Sequence, residues 1–256
     1  NSLVEIYRFP LPQTFARFES RMEVLISLSS SFRIQICELC FQILASLGPG
    51  VFSHTHFFKW RHFSDLSSPK YIPASINDVK SVTKLLLSLT TFSEDDVSEL
   101  LKLSANKWMS CCRTDIFDAI CERKEAFNGS DIIEHTIRDI LTHHLSVPEA
   151  AWALSEKELI PYKKLLTDIE SKDVVLKHRW LFEDMFLRLP QKREMDIEKD
   201  CQIKQDVRNK AVQDIFAEKG ITEYVRTANN EEGIDQTISL MKKDLKLVIF
   251  GLPKAS

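Results

Sequence analysis

Glycine is scarce in this chain, with 6 residues among 256. A β-rich fold with many tight turns would need more, because the favoured hairpin turns place residues at positive φ. Phosphate-cradling loops also depend on clustered glycines, and neither a Walker nor a Rossmann pattern occurs. Long apolar runs are missing too. Leu85–Leu87 and Val248–Phe250 are among the longest and fall far short of a membrane span. Neither sign of charge dominates: 34 basic and 37 acidic residues leave a net charge of −3, so no global field draws nucleic acid or an anionic membrane. The 6 cysteines do not form the dense framework of a small secreted domain. With no signal-peptide pattern at the N-terminus, a cytoplasmic location is expected. The chain starts at Asn1 and stops just after an apolar run, which reads as an internal piece of a larger protein.

What is present is helical grammar. Apolar residues recur at helical spacing from Phe15 to Ile26 and from Phe32 to Ile43, giving an antiparallel pair. Pro10 and Pro12 hold off the first helix until about Gln13. The segment 48–74 has no clear period and is rich in aromatic residues and histidine, so it is expected to cross between helical layers. Beyond Pro73 the spacing predicts helices over 76–89, 93–109, 114–127 and 130–145. Ser93 with Asp96, and Ser155 with Glu158, stand at capping-box spacing. Pro161 falls inside or at the true start of the helix that follows Ser155. Ser171 with Asp173 opens a helix carrying Trp180, Leu181, Phe182, Met185 and Phe186, stopped by Pro190. A charge-balanced helix then closes at Gly220, solvated before Cys201 and packed after it. The aromatic block over 177–189 should be buried.

These elements predict an all-α fold of stacked antiparallel helix pairs, an irregular α-solenoid with no fixed repeat period. Two regions are expected: 1–73, a helical pair with its aromatic crossover, and 74–256, a helical-repeat-like domain, with one continuous domain as the alternative.

Three stretches carry a resemblance: Trp152-Ala-Leu-Ser-Glu-Lys-Glu-Leu-Ile-Pro-Tyr162, Lys177-His-Arg-Trp-Leu-Phe-Glu183 and Val207-Arg-Asn-Lys-Ala-Val-Gln-Asp-Ile-Phe-Ala-Glu-Lys-Gly-Ile221. They resemble the helical, HEAT-like middle region of very large, mostly uncharacterised bacterial multidomain proteins. The resemblance implies an α-solenoid inside a cytoplasmic bacterial protein and brings no catalytic residue with it.

Several side-chain sets invite a chemical reading. Cys37 and Cys40 have the spacing of a metal or redox pair, but they lie in an apolar helical pattern with no second pair at zinc-site distance. Cys111, Cys112 and Cys121 offer no better case. His54, His56 and His62 share one loop and are candidate metal ligands, without an intervening carboxylate. His178 beside Trp180 reads as a packing residue. Arg138 with His143 or His144 is similar to the Arg-x4-6-His motif of helical HEPN-type ribonucleases, in which His takes the 2′-hydroxyl proton and Arg holds the scissile phosphate. A bland reading competes with it, because cationic residues near a helix C-terminus complement the helix dipole.

The sequence thus points to a non-enzymatic scaffold or protein-interaction segment of a larger bacterial protein, with no cofactor. Its expected partners are another protein or neighbouring domains of the parent chain. Membrane association and small-molecule substrates have no support in it, and the acidic balance disfavours nucleic acid. The alternative is a HEPN-like endoribonuclease using Arg138 with His143 or His144.

Overall fold

The computed structural model describes residues 2–7, 9, 16–48, 75–183 and 187–219. Every regular element among them is helical: α1 (Ser2–Tyr7), α2 (Phe18–Ser29), α3 (Arg33–Ala45), α4 (Ile76–Leu89), α5 (Glu94–Ala105), α6 (Arg113–Cys121), α7 (Asp131–Ser146), α8 (Glu156–Ile169), α9 (Val174–Glu183) and α10 (Ile197–Lys219). Two short 3₁₀ turns, Lys107–Met109 and Lys124–Phe127, flank α6. The fold is all-α. No described helix is long and apolar enough to cross a membrane.

Local chemistry explains most of the boundaries. Ser75 and Asp78 form a reciprocal capping box at the start of α4, and Ser93 with Asp96 does the same for α5. Ser130 accepts the amide of Ile133 to open α7. At α8 the carboxylate of Glu158 receives both the amide and the hydroxyl of Ser155, at 2.9 and 2.7 Å. Pro161 is tolerated six residues into that helix.

Two expectations change. Residues 2–7 form a helix that the prolines only terminate: the residue before a proline is driven out of the helical region, so α1 closes ahead of Phe9-Pro10. The helix expected over 114–127 breaks after Cys121. There Lys124 reaches Asp168 at 2.8 Å and Phe127 turns into the core, so tertiary ties outweigh helical propensity.

The chain divides into two compact units, 1–169 and 170–256. In the first unit α3 packs on α4, α5 on both α6 and α7, and α7 on α8. The described residues on either side of the segment 49–74 fall in this same unit. Its core is a single apolar cluster in which Leu100, Leu101, Ile116, Ile120, Ile133 and Ile137 are fully buried. Each such side chain contributes roughly 1.5–3 kcal/mol by leaving water.

In the second unit α9 packs on α10. Leu181, Leu187, Leu189 and Ala211 are buried together, while Trp180 is half-buried at their edge, shallower than the sequence suggests. The α10 helix begins exposed, with Met195 and Ile197 at 85% and 79% just before and at its start, and buries Ala211, Val212 and Ile215 further on. Met185, Phe186 and Gly220 lie outside the described residues.

Candidate functional site

Helix α7 holds the motif that the sequence singles out. Glu134 and Arg138 stand one turn apart in the favourable acid-before-base order, and Arg138 Nη2 donates to Glu134 Oε2 at 2.8 Å. Both side chains are buried, at 8% and 3% exposure. Arg138 is thus a charge already neutralised inside the unit. It does not present its guanidinium to an incoming phosphate.

His144 is also interior, 5% exposed. The amide of Leu154 donates to its Nδ1 at 3.1 Å, which places the ring proton on Nε2, facing the carbonyl of Ala105. Burial lowers its pKa to about 4, with the neighbouring His143 and Arg113 acting in the same direction. A neutral imidazole clamped between two backbone groups is a cross-brace: it fixes the chain after α7 against the end of α5.

His143, by contrast, stacks on Trp152 with ring centroids 4.1 Å apart and planes 19° from parallel. The two imidazoles meet edge to face, with ring centroids 5.1 Å apart, and both lie against Trp152, whereas Arg138 is taken up by Glu134.

A second buried polar cluster lies nearby. Arg113 donates from Nε to the Ser104 carbonyl at 2.9 Å and from Nη1 to Glu158 at 2.7 Å. The hydroxyls of Ser104 and Tyr162 share a hydrogen bond of 2.8 Å. Hydrogen bonds from Ser155 and Arg113 hold the Glu158 carboxyl down at about 2, and burial pushes the Tyr162 phenol up to about 12. Neither Glu158 nor Tyr162 is poised to exchange a proton near neutrality. The cluster joins α5, α6 and α8 rather than preparing chemistry.

The surface feature with the most character is one the sequence did not announce. Trp108 and Trp152 line one depression of about 470 Å³, together with Leu47, Gly48, Lys107 and His143. Trp108 is 59% exposed and Trp152 is 43% exposed. Both are nevertheless held. The 3₁₀ turn bearing Trp108 is capped by Asn106, whose Oδ1 accepts the Trp108 amide at 3.0 Å while its Nδ2 donates to the Leu47 carbonyl at 2.9 Å. Gly48 lies directly behind the indole: at φ +150°, a Cβ there would stand 3.7 Å from Trp108 Cδ1. Lys107 Nζ donates to the Ala151 carbonyl at 2.7 Å, tying the Trp108 turn to the loop that carries Trp152. His143 stacks on Trp152 within the lining, and His144 anchors the same loop.

The remaining candidates are quieter. Cys37 and Cys40 are buried in α3, and burial pushes their thiols up to about 11 and about 12, away from thiolate chemistry. The sulfurs of Cys111 and Cys112 are 3.6 Å apart, with Cys112 fully buried. His178 stands 3.4 Å from Asp214, partly buried between α9 and α10. His54, His56 and His62 lie outside the described residues. No group of three or more histidine, cysteine, aspartate or glutamate side chains able to hold a metal occurs among the described residues.

No protein-family model matches the chain, and no solved structure matches it. Phosphopentomutases of Clostridium novyi and Alkaliphilus metalliredigens are 49% and 51% identical to it over 39 residues, which is 15% of this chain and 10% of each enzyme. The chain thus spans about a tenth of the length of the curated relatives it matches.

Proposed function

We propose that the chain is a non-enzymatic helical scaffold or protein-interaction segment of a larger bacterial protein, and that its first unit meets a partner protein through the Trp108/Trp152 depression. One observation carries this reading: two large indoles stand in solvent on rigid, hydrogen-bonded supports. Scattered exposed apolar residues are ordinary on a protein surface. Two tryptophans lining one depression, each fixed by dedicated contacts, match the anchor residues that dominate protein interfaces. Such preorganisation spares a partner the entropy of ordering those side chains on binding. The exposed start of α10, with Met195 and Ile197, offers a second region for contact.

The ribonuclease alternative has less support. Arg138 is committed to Glu134, and His144 is a neutral buried brace. Phosphopentomutase activity is not proposed either, since 39 shared residues amount to a tenth of such an enzyme.

Selection of a displayed random-peptide library against the full chain tests the reading. Enriched peptides that bind the wild type and fail on a Trp108→Ala/Trp152→Ala variant are expected. No enrichment, or peptides that bind both proteins equally, would remove the depression as an interaction site.

A further inference from the structure

Neighbouring residues of a regular helix point about 100° apart, so adjacent cysteines there hold their sulfurs away from each other. Cys111 and Cys112 escape that geometry. They stand in the turn between the Lys107–Met109 3₁₀ turn and α6, and their sulfurs are 3.6 Å apart. Backbone bonds fix the turn on both sides. The Cys112 amide donates to the Met109 carbonyl at 2.9 Å, and the Cys112 carbonyl accepts the Ile116 amide at 3.1 Å.

The two thiols differ in access. Cys112 is fully buried in the core cluster, whereas Cys111 is half-buried beside it. Cys37 and Cys40, by comparison, are both enclosed, which leaves neither open to a reagent. A reachable sulfur in contact with a second thiol has what sulfenic acid chemistry needs: a point of oxidation and a resolving partner. Burial pushes the Cys112 thiol up, away from the thiolate that attacks an oxidant, so the first step falls to Cys111. For the second step, contact replaces a bimolecular encounter. The product is a small strained ring, because neighbouring Cα atoms stand about 3.8 Å apart, below the usual span of bridged cysteines. Such a bond is readily reduced again.

We propose that Cys111 and Cys112 form a reversible oxidation site for hydroperoxides, with Cys111 as the attacking thiol and Cys112 as the resolving one. With hydrogen peroxide, the Cys111 sulfur attacks one oxygen and the O–O bond breaks. That oxygen stays on sulfur as sulfenic acid, and the other leaves as water with the Cys111 thiol proton. The Cys112 sulfur then attacks the Cys111 sulfur, and the hydroxyl leaves as a second water with the Cys112 proton. One S–S bond replaces two S–H bonds, and the two electrons given up by the sulfurs reduce the peroxide. Nothing in this chemistry needs a partner protein, so the site stands apart from the interaction reading.

Trypsin isolates the pair, because cleavage after Lys107 and Arg113 leaves Trp108-Met-Ser-Cys-Cys-Arg113 with no third cysteine. The test treats the native full chain with hydrogen peroxide, alkylates free thiols in denaturant, and weighs this peptide. A peptide two hydrogens lighter and free of alkyl groups is expected, and dithiothreitol before alkylation should restore both groups. In Cys112→Ser the reaction should stop at sulfenic acid on Cys111, captured by dimedone, while Cys111→Ser should leave Cys112 unmodified. Oxidation in urea, where the turn no longer holds the sulfurs together, should give a smaller share of the bond. Two alkyl groups on the peptide at a dose that oxidises the exposed Cys121 or Cys201 would overturn the assignment. So would dimedone on Cys112 in Cys111→Ser, or an equal yield of the bond in urea. The wild-type peptide mass decides even where the buried Cys112→Ser variant fails to fold.

Discussion

Within the first unit the guanidinium of Arg138 is buried against Glu134, whereas the indole of Trp108 is 59% exposed. Residue type alone suggests the reverse. The contrast separates two jobs. Several buried polar side chains of this unit are paired: Arg138 with Glu134 inside α7, and Arg113 with Glu158, Ser104 with Tyr162 and Ser98 with Thr136 between helices. Exposed aromatics are held rigid yet left open to solvent. A chain that needed only to fold would have little use for the second arrangement, since an exposed indole contributes little to stability.

If the interior polar groups are structural, breaking them should be the most damaging change. Glu134→Ala leaves Arg138 as a buried charge without its acid, and should cost about 3–5 kcal/mol in chemical denaturation. A loss under about 1 kcal/mol would mean that Arg138 swings out to water, which would reopen it as a functional cation.

Acid probes the same interior through His144. The unfolded chain takes up the imidazole proton near the ordinary 6.5, while the folded chain resists until about 4. Stability should therefore fall as pH drops through that window and level off below it, by about 3 kcal/mol. Denaturation midpoints of wild type and His144→Asn across this range check the sign: the variant should lose this slope. A profile identical in both would show that His144 is not the responsible group.

Tyr162→Phe removes one neutral hydrogen bond to Ser104 and should cost about 1 kcal/mol. Trp108→Ala should shift stability by less than about 1 kcal/mol, despite deleting the largest side chain type. A melting temperature that falls further for Trp108→Ala than for Tyr162→Phe would reverse the contrast and make the indole part of the core.

The distinction was only partly legible in the sequence. Capping residues and period fix the bounds of a helix, so Ile76–Leu89 and the caps at Ser93 and Ser155 could be read directly. The break after Cys121 could not, because it depends on Lys124 meeting Asp168 44 positions away. Glu134 and Arg138 show their spacing in the sequence but not their burial, which depends on the packing of α7 against α5 and α8. That is why Arg138 with His143 or His144 looks like a catalytic motif on paper and separates into an ion pair, a stacked ring and a buried brace in space. The Trp108/Trp152 depression left no local signal at all. It arises where segments 44 positions apart are joined by Lys107 and Ala151, and a single indole in a sequence says nothing about which side faces water.

The account rests on exposed, supported indoles being the working surface and the buried polar pairs being the frame. The most direct measurement compares wild type with Trp108→Ala/Trp152→Ala in two readouts on the same samples: melting temperature, and affinity for a peptide selected on the wild type. An unchanged melting temperature with binding lost is the predicted result. Binding retained at full strength, or a variant that melts well below the wild type, would contradict it.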